Sequence, residues 1–438
     1  PIKSSAASDV YKRQDLSTED LKKELSKLKS EMEEIKALEL NLDLSRGKPD
    51  KEQLNLSMEM LNTVNSKSIL DAESGMDCRN YGGLDGIPEA KQLMADMMGT
   101  RPENVIVGGN SSLTLMYDII SHAMTDGLLG EKPWCQVEDR KFLCPAPGYD
   151  RHFAITEHFG MKLIPVPMNE NGPDMDVVEE LVSSDDTIKG IWCVPKYENP
   201  MGIVFSDETI QRFANLKPLA KDFRIFWDNA YCVHSIYQNE ETDIPDIISE
   251  CEKAGNPDMV YEFCSTSKIT FPGSGISAVA SSPANLIDIK GFLKYATIGP
   301  DKINQLRHVR YFKNIAGIKA HMAKHADILR PKFEAVDKIL NDELNGLGIA
   351  EWTKPNGGYF ISFNTLKGCA SDTVTLCSKM GVAFTPAGAT YPYGNDPEDQ
   401  NIRIAPTFAN MKDIKLATKI FALSVKIVTL EKLINKAA

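Results

Sequence analysis

Long apolar runs are missing from this sequence of 438 residues. A membrane-spanning helix needs about 18 or more consecutive apolar residues, and the sequence contains neither such a stretch nor the apolar centre of a secretory signal. These absences argue against export and against insertion into a membrane. We therefore predict a cytoplasmic protein for which no membrane is a partner.

Paired cysteines are missing as well. The nine cysteines are scattered, odd in number and include no Cys-x-x-Cys pair; they occupy positions 78, 135, 144, 193, 232, 251, 264, 369 and 377. A disulfide framework or a structural zinc site would need even numbers or short, regular spacings. The pattern predicts no metal site and fits a reducing cytoplasm.

Positive charge is scarce relative to negative charge. The net charge is -12, and there is no basic run or stripe of aromatic and basic residues. A nucleic acid or an anionic lipid surface would attract the opposite balance, so we predict neither as a partner. With 42% hydrophobic residues over this length, the chain can bury a large core, and its size predicts two domains or one large and one small domain.

Short apolar runs alternate with helical stretches through the first two thirds of the chain, after a predicted helix that starts at Ser17. The predicted strands cover residues 104–107, 141–144, 162–166, 188–194, 223–227, 259–263 and 276–280. This alternation predicts an α/β fold, with a mostly parallel sheet flanked by helices. Further on, a long helical segment over 305–344, strand pairs at 358–362 and 402–404 and a last helix to about 434 predict a smaller α+β domain.

Four chemically distinct side chains follow the predicted strands. Asp228 closes an apolar run and is followed by Tyr231, Lys268 follows the next run, and Asn199 precedes Pro200-Met201-Gly202. The carboxyl ends of strands in such sheets form the ligand crevice. An amine that can form a Schiff base, a carboxylate for a pyridine nitrogen, and an amide and a phenol for a ring oxygen together predict a pyridoxal-phosphate site. Considered alone, Lys268 is more simply interpreted as a solvated surface lysine. Asp228, considered alone, could equally well cap a helix or a turn.

A glycine-rich element follows the first predicted strand. It begins at Val107, continues through two glycines, Asn110 and Ser111, and precedes an apolar helix-like run. Free N–H groups at a helix start bind phosphate well, which favours a phosphate site. The element matches no established phosphate motif, so an ordinary capped turn between strand and helix fits it equally well.

These residues, in this order from about Ser45 to Thr407, resemble the pyridoxal-phosphate-dependent aminotransferases of fold type I, and within them a divergent subgroup of aspartate aminotransferases. The resemblance implies that Lys268 forms the Schiff base and Asp228 pairs with the pyridinium nitrogen, with Tyr231 completing the catalytic set. It further implies that the following residues bind the cofactor: Asn110, Ser111, Tyr149, Asn199, Asp228, Tyr231, Ser265, Lys268 and Tyr81.

The same resemblance implies roles outside the cofactor ring. Arg403, with Asn199 and Gly47, would bind the substrate, and Arg403 would hold its α-carboxylate. His152 would support Asp228, although the sequence fits equally well a buried histidine whose ring is hydrogen-bonded and has no functional role. Arg403, considered alone, could also be part of an ion pair on the surface of a strand. Tyr81 would reach the phosphate of a neighbouring subunit, which implies a homodimer.

The implied domain division has four parts. Residues 1–14 resemble a translated sequencing adapter, and we treat them as a non-native leader. Residues 15–75 are expected to form an N-terminal helix and arm that belong to the small domain, residues 76–315 the large cofactor-binding domain, and residues 316–438 the C-terminal small domain.

The sequence departs from the family pattern after Lys268. No cation follows within the next several residues, so the phosphate must rest more on hydroxyl and backbone groups, with Ser274 a candidate. A distal substrate carboxylate needs a second cation, for which Lys302, Arg307 and Arg310 are candidates. The Asn199-Pro200 bond is a candidate for the cis form, which only a bond before proline adopts at small cost.

Three functions are compatible with these residues. The first is transfer of an amino group between an L-amino acid, most simply aspartate, and 2-oxoglutarate by a ping-pong Schiff-base mechanism. The second is a carbon–sulfur lyase on the same scaffold, which would yield pyruvate and ammonia without an acceptor. The third, a non-catalytic sensor fused to a DNA-binding module, is disfavoured because the N-terminal residues form one amphipathic helix and the net charge is negative.

Overall fold

Eight strands form the central sheet of the computed structural model, which describes residues 17–437. The leader expected over residues 1–14 lies outside the described residues. The strands are β2 (Val105–Val107), β3 (Lys141–Ala146), β4 (Lys162–Asn169), β5 (Gly172–Pro173), β6 (Ile188–Cys193), β7 (Arg224–Asp228), β8 (Val260–Ser265) and β9 (Ser277–Ala280). Their order across the sheet is β2-β9-β8-β7-β6-β3-β4-β5.

The middle of this sheet is parallel, as the sequence predicts. The strands β4, β3, β6, β7 and β8 all run in one direction, whereas β9 runs antiparallel to both of its neighbours and β5 antiparallel to β4. Every residue of β6 and of β7 is buried. Successive side chains point to opposite faces, so Ile225 and Phe226 enter two different apolar clusters. Because helices cover both faces of the sheet, the sequence of these strands is apolar at nearly every position rather than at alternate positions.

Thirteen helices are found in the described residues. They are α1 (Thr18–Lys36), α2 (Lys51–Asn55), α3 (Pro88–Met98), α4 (Ser112–Thr125), α5 (Asp150–His158), α6 (Met175–Ser184), α7 (Asp207–Ala214), α8 (Ile247–Lys253), α9 (Pro283–Ala296), α10 (Lys302–Phe312), α11 (Ile315–Leu344), α12 (Ala370–Lys379) and α13 (Met411–Ala437). Short 3₁₀ segments cover Met58–Asn62, Pro102–Asn104, Trp134–Gln136, Gln238–Glu240, Pro272–Ser274 and Pro392–Gly394.

A second, smaller group of elements contains two further sheets. Its strands are β1 (Leu42–Asp43), β10 (Ala350–Trp352), β11 (Ile361–Thr365), β12 (Val382–Ala383) and β13 (Asn401–Ile404). An antiparallel sheet has the order β10-β11-β13, and β1 pairs with β12 in parallel. The helix α1 begins after the Ser17 cap, whose hydroxyl accepts from the Asp20 N–H, and packs against α13. Its buried Leu21, Leu28 and Met32 join the apolar cluster that α11 and α13 line.

The long helical segment predicted over residues 305–344 is helical, but it is divided between two helices, α10 and α11. The backbone leaves the helical conformation at Lys313, which has a φ of 66°. The Asn314 side chain then caps α11 by accepting from the Gly317 N–H. Apolar periodicity continues across this break, so it was invisible in the hydrophobic pattern.

Two further observations concern the described residues as a whole. None of their helices is both long and apolar enough to cross a lipid bilayer. All nine cysteines are unpaired, and eight of them are buried.

Candidate active site

A cleft of about 560 Å³ opens at the carboxyl ends of β7 and β8. It brings together Gly47, Ser111, Tyr149, Asn199, Asp228, Tyr231, Ser265, Lys268 and Arg403, which were all predicted as site residues. A larger hollow of about 720 Å³ lies near Pro147 and Trp352, and its lining contains none of them. The chemical groups therefore converge in the smaller cavity, at the edge where parallel strands present their ligands.

Asp228, the last residue of β7, has one oxygen engaged and one without a protein partner. Its Oδ2 lies 2.9 Å from His152 Nε2, and both residues are buried. Trp192 stacks on the His152 ring at 4.4 Å between centroids, which fixes the orientation of the imidazole. The buried Oδ1 has no hydrogen-bond partner among the described residues. A buried carboxylate oxygen in this state is costly unless a bound group donates to it.

Lys268 extends its amine towards Tyr231 at the floor of the cleft. Its Nζ lies 4.9 Å from the centre of the Tyr231 ring. Burial lowers the pKa of the Lys268 ammonium below its ordinary value, and nearby Asp228 opposes that shift. Burial raises the pKa of Tyr231 well above its usual range, so this phenol stays protonated and can donate. An amine with a lowered pKa is a better nucleophile and base near neutrality.

The peptide groups next to Lys268 are held from behind by a buried polar network. The Tyr359 hydroxyl donates to the Lys268 carbonyl at 3.3 Å, and the Nε2 atoms of His321 and His325 lie 2.9 and 3.0 Å from the Ile269 carbonyl. Gln53 donates to both Tyr359 and His325 Nδ1, so His325 must carry its proton on Nε2.

Burial lowers the pKa of both imidazoles, that of His325 to about 3, so each is neutral near pH 7. No sequence motif indicated this network, because its members come from distant segments. It fixes the backbone from which the Lys268 side chain extends.

Arg403 on β13 forms the opposite wall of the cleft. One of its terminal nitrogens donates to Asp150 Oδ1 at 2.9 Å and to Asn199 Oδ1 at 3.2 Å, and the guanidinium lies 4.9 Å from the Phe360 ring centre. Its buried Nε has no acceptor among the described residues. A planar guanidinium held in this way is suited to a carboxylate. The Asn199-Pro200 bond is cis.

Gly47 lies directly against the Phe360 ring. A Cβ atom at position 47 would lie 2.2 Å from Phe360 Cζ, so no side chain fits there without displacing the ring. The Ser45 carbonyl accepts from the Thr385 hydroxyl at 2.9 Å, and that hydroxyl lies 3.4 Å from an Arg403 nitrogen. The segment around Gly47 is thus fixed beside Arg403.

Hydroxyl groups cluster where α4 begins. Ser111 directly precedes α4, and Ser265 and Ser267 line the same end of the cleft, 3.1 Å apart. The Ser267 hydroxyl donates to the Asn110 carbonyl at 3.0 Å, while the Asn110 side chain donates to the Pro272 carbonyl at 3.2 Å. Free N–H groups at a helix start together with hydroxyls suit a phosphate.

Other predicted residues lie away from the cleft of their own chain. Tyr81 is 78% exposed, and Lys302 donates to the Gly82 carbonyl beside it at 2.8 Å. Arg307 donates to the Ser274 hydroxyl at 2.5 Å, and Arg310 donates to a main-chain carbonyl. None of these residues is part of the cleft lining.

Several polar residues of the lining were missed in the sequence, among them two arginines and a serine. Arg46 precedes Gly47, Arg151 follows Asp150, and Ser267 lies between Ser265 and Lys268. Proximity to a predicted site residue was the available signal in each case. Arginine and serine are common surface residues, so that signal alone did not separate them from their neighbours.

A buried acid lies beside this site. Glu198 directly precedes Asn199, is only 4% exposed and accepts from the Met201 N–H at 2.8 Å. Burial raises the pKa of Glu198 to about 8, although the Met201 N–H and Arg403 oppose the shift. The carboxyl group is therefore protonated in the folded protein at neutral pH.

Glu198→Gln should change how stability depends on pH. The unfolded chain releases this proton near the ordinary pKa of 4.5 and the folded chain only near 8, so raising the pH between those values favours unfolding of the wild type. Over this pH interval, the free energy of unfolding of the wild type should fall by up to a few kcal/mol relative to that of Glu198→Gln. Thermal denaturation of both proteins at about pH 5 and pH 8 measures the difference. If the stability of the two proteins changes equally between these pH values, the prediction is wrong. Glu180→Gln, on the surface of α6, is the control for the loss of one acidic side chain.

Comparison with known proteins identifies the family. The model of the family described as "Aspartate amino-transferase" matches residues 16–437. A putative aminotransferase of Mycolicibacterium smegmatis is 47% identical over 87% of this chain and 90% of its own length. An aspartate aminotransferase of Corynebacterium glutamicum is 44% identical over 89% of this chain and 90% of its own length.

The fold agrees with this match. The crystal structure of an aspartate transaminase from Corynebacterium glutamicum superposes with a TM-score of 0.93 at 43% identity, covering 96% of this chain and 99% of that one. The resemblance to fold type I aminotransferases is thereby confirmed, as is the mostly parallel sheet flanked by helices. The chain belongs to the aspartate aminotransferase family, and it is an aminotransferase.

Proposed function

We propose that this aminotransferase uses pyridoxal 5'-phosphate, held in the cleft, to move an amino group between L-aspartate and 2-oxoglutarate. Membership of the family implies the cofactor, and the name of the Corynebacterium glutamicum relative supports aspartate. The observation that carries the proposal is that Lys268 and Asp228 line the same cleft. The buried Asp228 Oδ1 has no hydrogen-bond partner in the described chain.

The cleft residues fit this cofactor group by group. Asp228 Oδ1 offers an acceptor for a protonated pyridine nitrogen, and the Tyr231 phenol and the Asn199 amide, which line the same cleft, can donate to a ring oxygen. Ser111, Ser265, Ser267 and the start of α4 offer neutral donors for a phosphate, in place of the cation that is missing after Lys268. Tyr149 supplies an aromatic wall, and burial raises its pKa to about 12, so it remains uncharged.

Each catalytic residue has a distinct task. When bound, pyridoxal phosphate holds the amino acid covalently and withdraws electrons from its Cα. Lys268 would hold the cofactor through its amine and, once that amine is free, would take up and return the proton at the substrate Cα. Asp228 would accept a hydrogen bond from the protonated pyridine nitrogen, and the contact with His152 keeps Asp228 in place. Arg403 binds the α-carboxylate that the amino acid and the oxo acid share.

The proposed assembly is a homodimer. Tyr81 is a large aromatic residue that is 78% exposed in a single chain, on a loop that Lys302 fixes through the Gly82 carbonyl. We propose that this loop reaches the phosphate of the partner's cofactor. Tyr81 would then be covered in the dimer.

The absorbance spectrum of the cofactor-loaded protein tests the proposal. L-aspartate without an acceptor should abolish the absorbance band of the lysine-bound cofactor, and 2-oxoglutarate should restore it. Under the same conditions L-alanine should react more slowly. A protein that takes up no cofactor, or whose band no amino acid changes, would refute the proposal. Production of pyruvate and ammonia without an acceptor would instead identify a lyase.

A further inference from the structure

We infer that Arg46 binds the distal carboxylate of the substrate and so makes the enzyme selective for dicarboxylic amino acids and oxo acids. This inference rests on the proposed function and assigns a residue to its substrate specificity. The three cations singled out in the sequence, Lys302, Arg307 and Arg310, do not line the cleft of their own chain. Besides Lys268 and Arg403, whose roles are proposed above, two basic residues line it, namely Arg46 and Arg151.

The charge balance of the cleft favours an acidic substrate. Its lining contains three arginines, Arg46, Arg151 and Arg403, besides the Lys268 amine, and two carboxylates, Asp150 and Asp228. Both carboxylates are already paired, Asp228 with His152 and Asp150 with Arg403. Among the described residues, no carboxylate lies within 4.0 Å of the Arg46 or Arg151 guanidinium. The cleft is thus locally positive although the whole chain has a net charge of -12, and a positive cleft attracts anions.

The position of Arg46 suits the second carboxylate of a short diacid. The backbone on either side of Arg46 contacts the surroundings of Arg403, through the Ser45 carbonyl to Thr385 and through Gly47 to the Phe360 ring. The two carboxylates of aspartate or 2-oxoglutarate are separated by only a few carbon atoms. A second cation must therefore be anchored next to Arg403, as Arg46 is.

Arg151 is less well placed for this role. It follows Asp150, whose carboxylate accepts from Arg403 at 2.9 Å. The acids nearest to Arg46 in the sequence, Asp43 and Asp50, are not adjacent to it, and each is engaged, Asp43 by Ser45 and Asp50 by Lys332.

The exposure of the Arg46 side chain is consistent with this role. The proposed reaction uses a four-carbon amino acid in one half and a five-carbon oxo acid in the other, so the distal carboxylate occupies two positions. A long side chain that is exposed and makes no ion pair with the described part of the chain can change rotamer to meet both. The fixed Arg403 then holds the carboxylate that does not move.

The test compares Arg46→Gln with the wild type on L-aspartate and L-alanine, which differ by the distal carboxylate. We expect kcat/KM for aspartate to fall about 10- to 100-fold, as for loss of a charge-assisted contact, mainly through KM, with alanine little changed. Lys48→Gln is the matched control, because it removes one positive charge two residues away. The Lys48 amine lies 3.8 Å above the Phe408 ring and outside the cleft lining. Arg46→Lys should recover part of the lost selectivity.

Three outcomes would overturn the inference. If Arg46→Gln keeps the wild-type preference for aspartate, Arg46 is not the determinant. If Arg151→Gln loses the preference and Arg46→Gln does not, Arg151 holds the distal carboxylate. If the wild type itself does not prefer aspartate to alanine, the proposed substrate is wrong and this inference fails with it. Only in this last case does the proposed function fail too.

Discussion

Lys268→Ala should abolish amino-group transfer, with a loss of at least about 10⁴-fold in rate. The substitution removes both the amine that binds the cofactor covalently and the base that moves the Cα proton. The amine is placed for both tasks, because it lies in the cleft with Asp228 and burial lowers its pKa. Reduction with borohydride followed by mass spectrometry should find the cofactor attached to the wild type and not to Lys268→Ala.

Lys268→Arg distinguishes loss of the amine from loss of a positive charge. Arginine keeps the charge near Asp228 but cannot replace the amine as nucleophile or as a base near neutrality. Both variants should therefore be inactive, and both should fold, as circular dichroism would verify. Appreciable activity in either one, or a cofactor attached covalently to another lysine, would refute the role of Lys268.

Asp228→Asn should retain the cofactor and yet lower kcat by about 10²- to 10³-fold, as expected for losing one buried electrostatic partner of a reacting centre. The amide cannot hold a pyridine nitrogen in its protonated form, so less charge can be withdrawn from the substrate. The amide also changes the contact with His152, which lies 2.9 Å from Asp228 Oδ2. Cofactor content and kcat, measured on the same preparation, would separate binding from catalysis.

Glu262→Gln is the matched control for Asp228→Asn. Glu262 is a buried acid on the neighbouring strand β8, where it pairs in register with Trp227, and it accepts from Asn229 rather than lining the cleft. Burial raises its pKa well above the ordinary range, so it is neutral already and an amide replaces it closely. We expect activity near that of the wild type. A loss in Glu262→Gln as large as that in Asp228→Asn would show that the effect is structural.

The sequence predicted the sheet and the residues at its strand ends for one physical reason. Strands buried on both faces must be apolar, so a polar residue that closes such a run, as Asp228 does, marks the edge where ligands bind. The helix break at Lys313 was missed because the apolar pattern continues through it. The network behind Lys268 was missed because His321 and His325 contact Ile269 across more than 50 residues. Arg46 was missed because only the folded chain shows which arginines face a cleft.

The close approach of Gly47 to Phe360 links the sizes of two residues that are far apart in the chain. A relative that carries any side chain at position 47 must carry a smaller residue at position 360, so the two positions should co-vary. The same ring lies beside the Arg403 guanidinium, so such an exchange would also loosen the grip on the α-carboxylate. Engineering a wider cleft for bulkier amino acids should therefore begin at Phe360 and leave Gly47 unchanged.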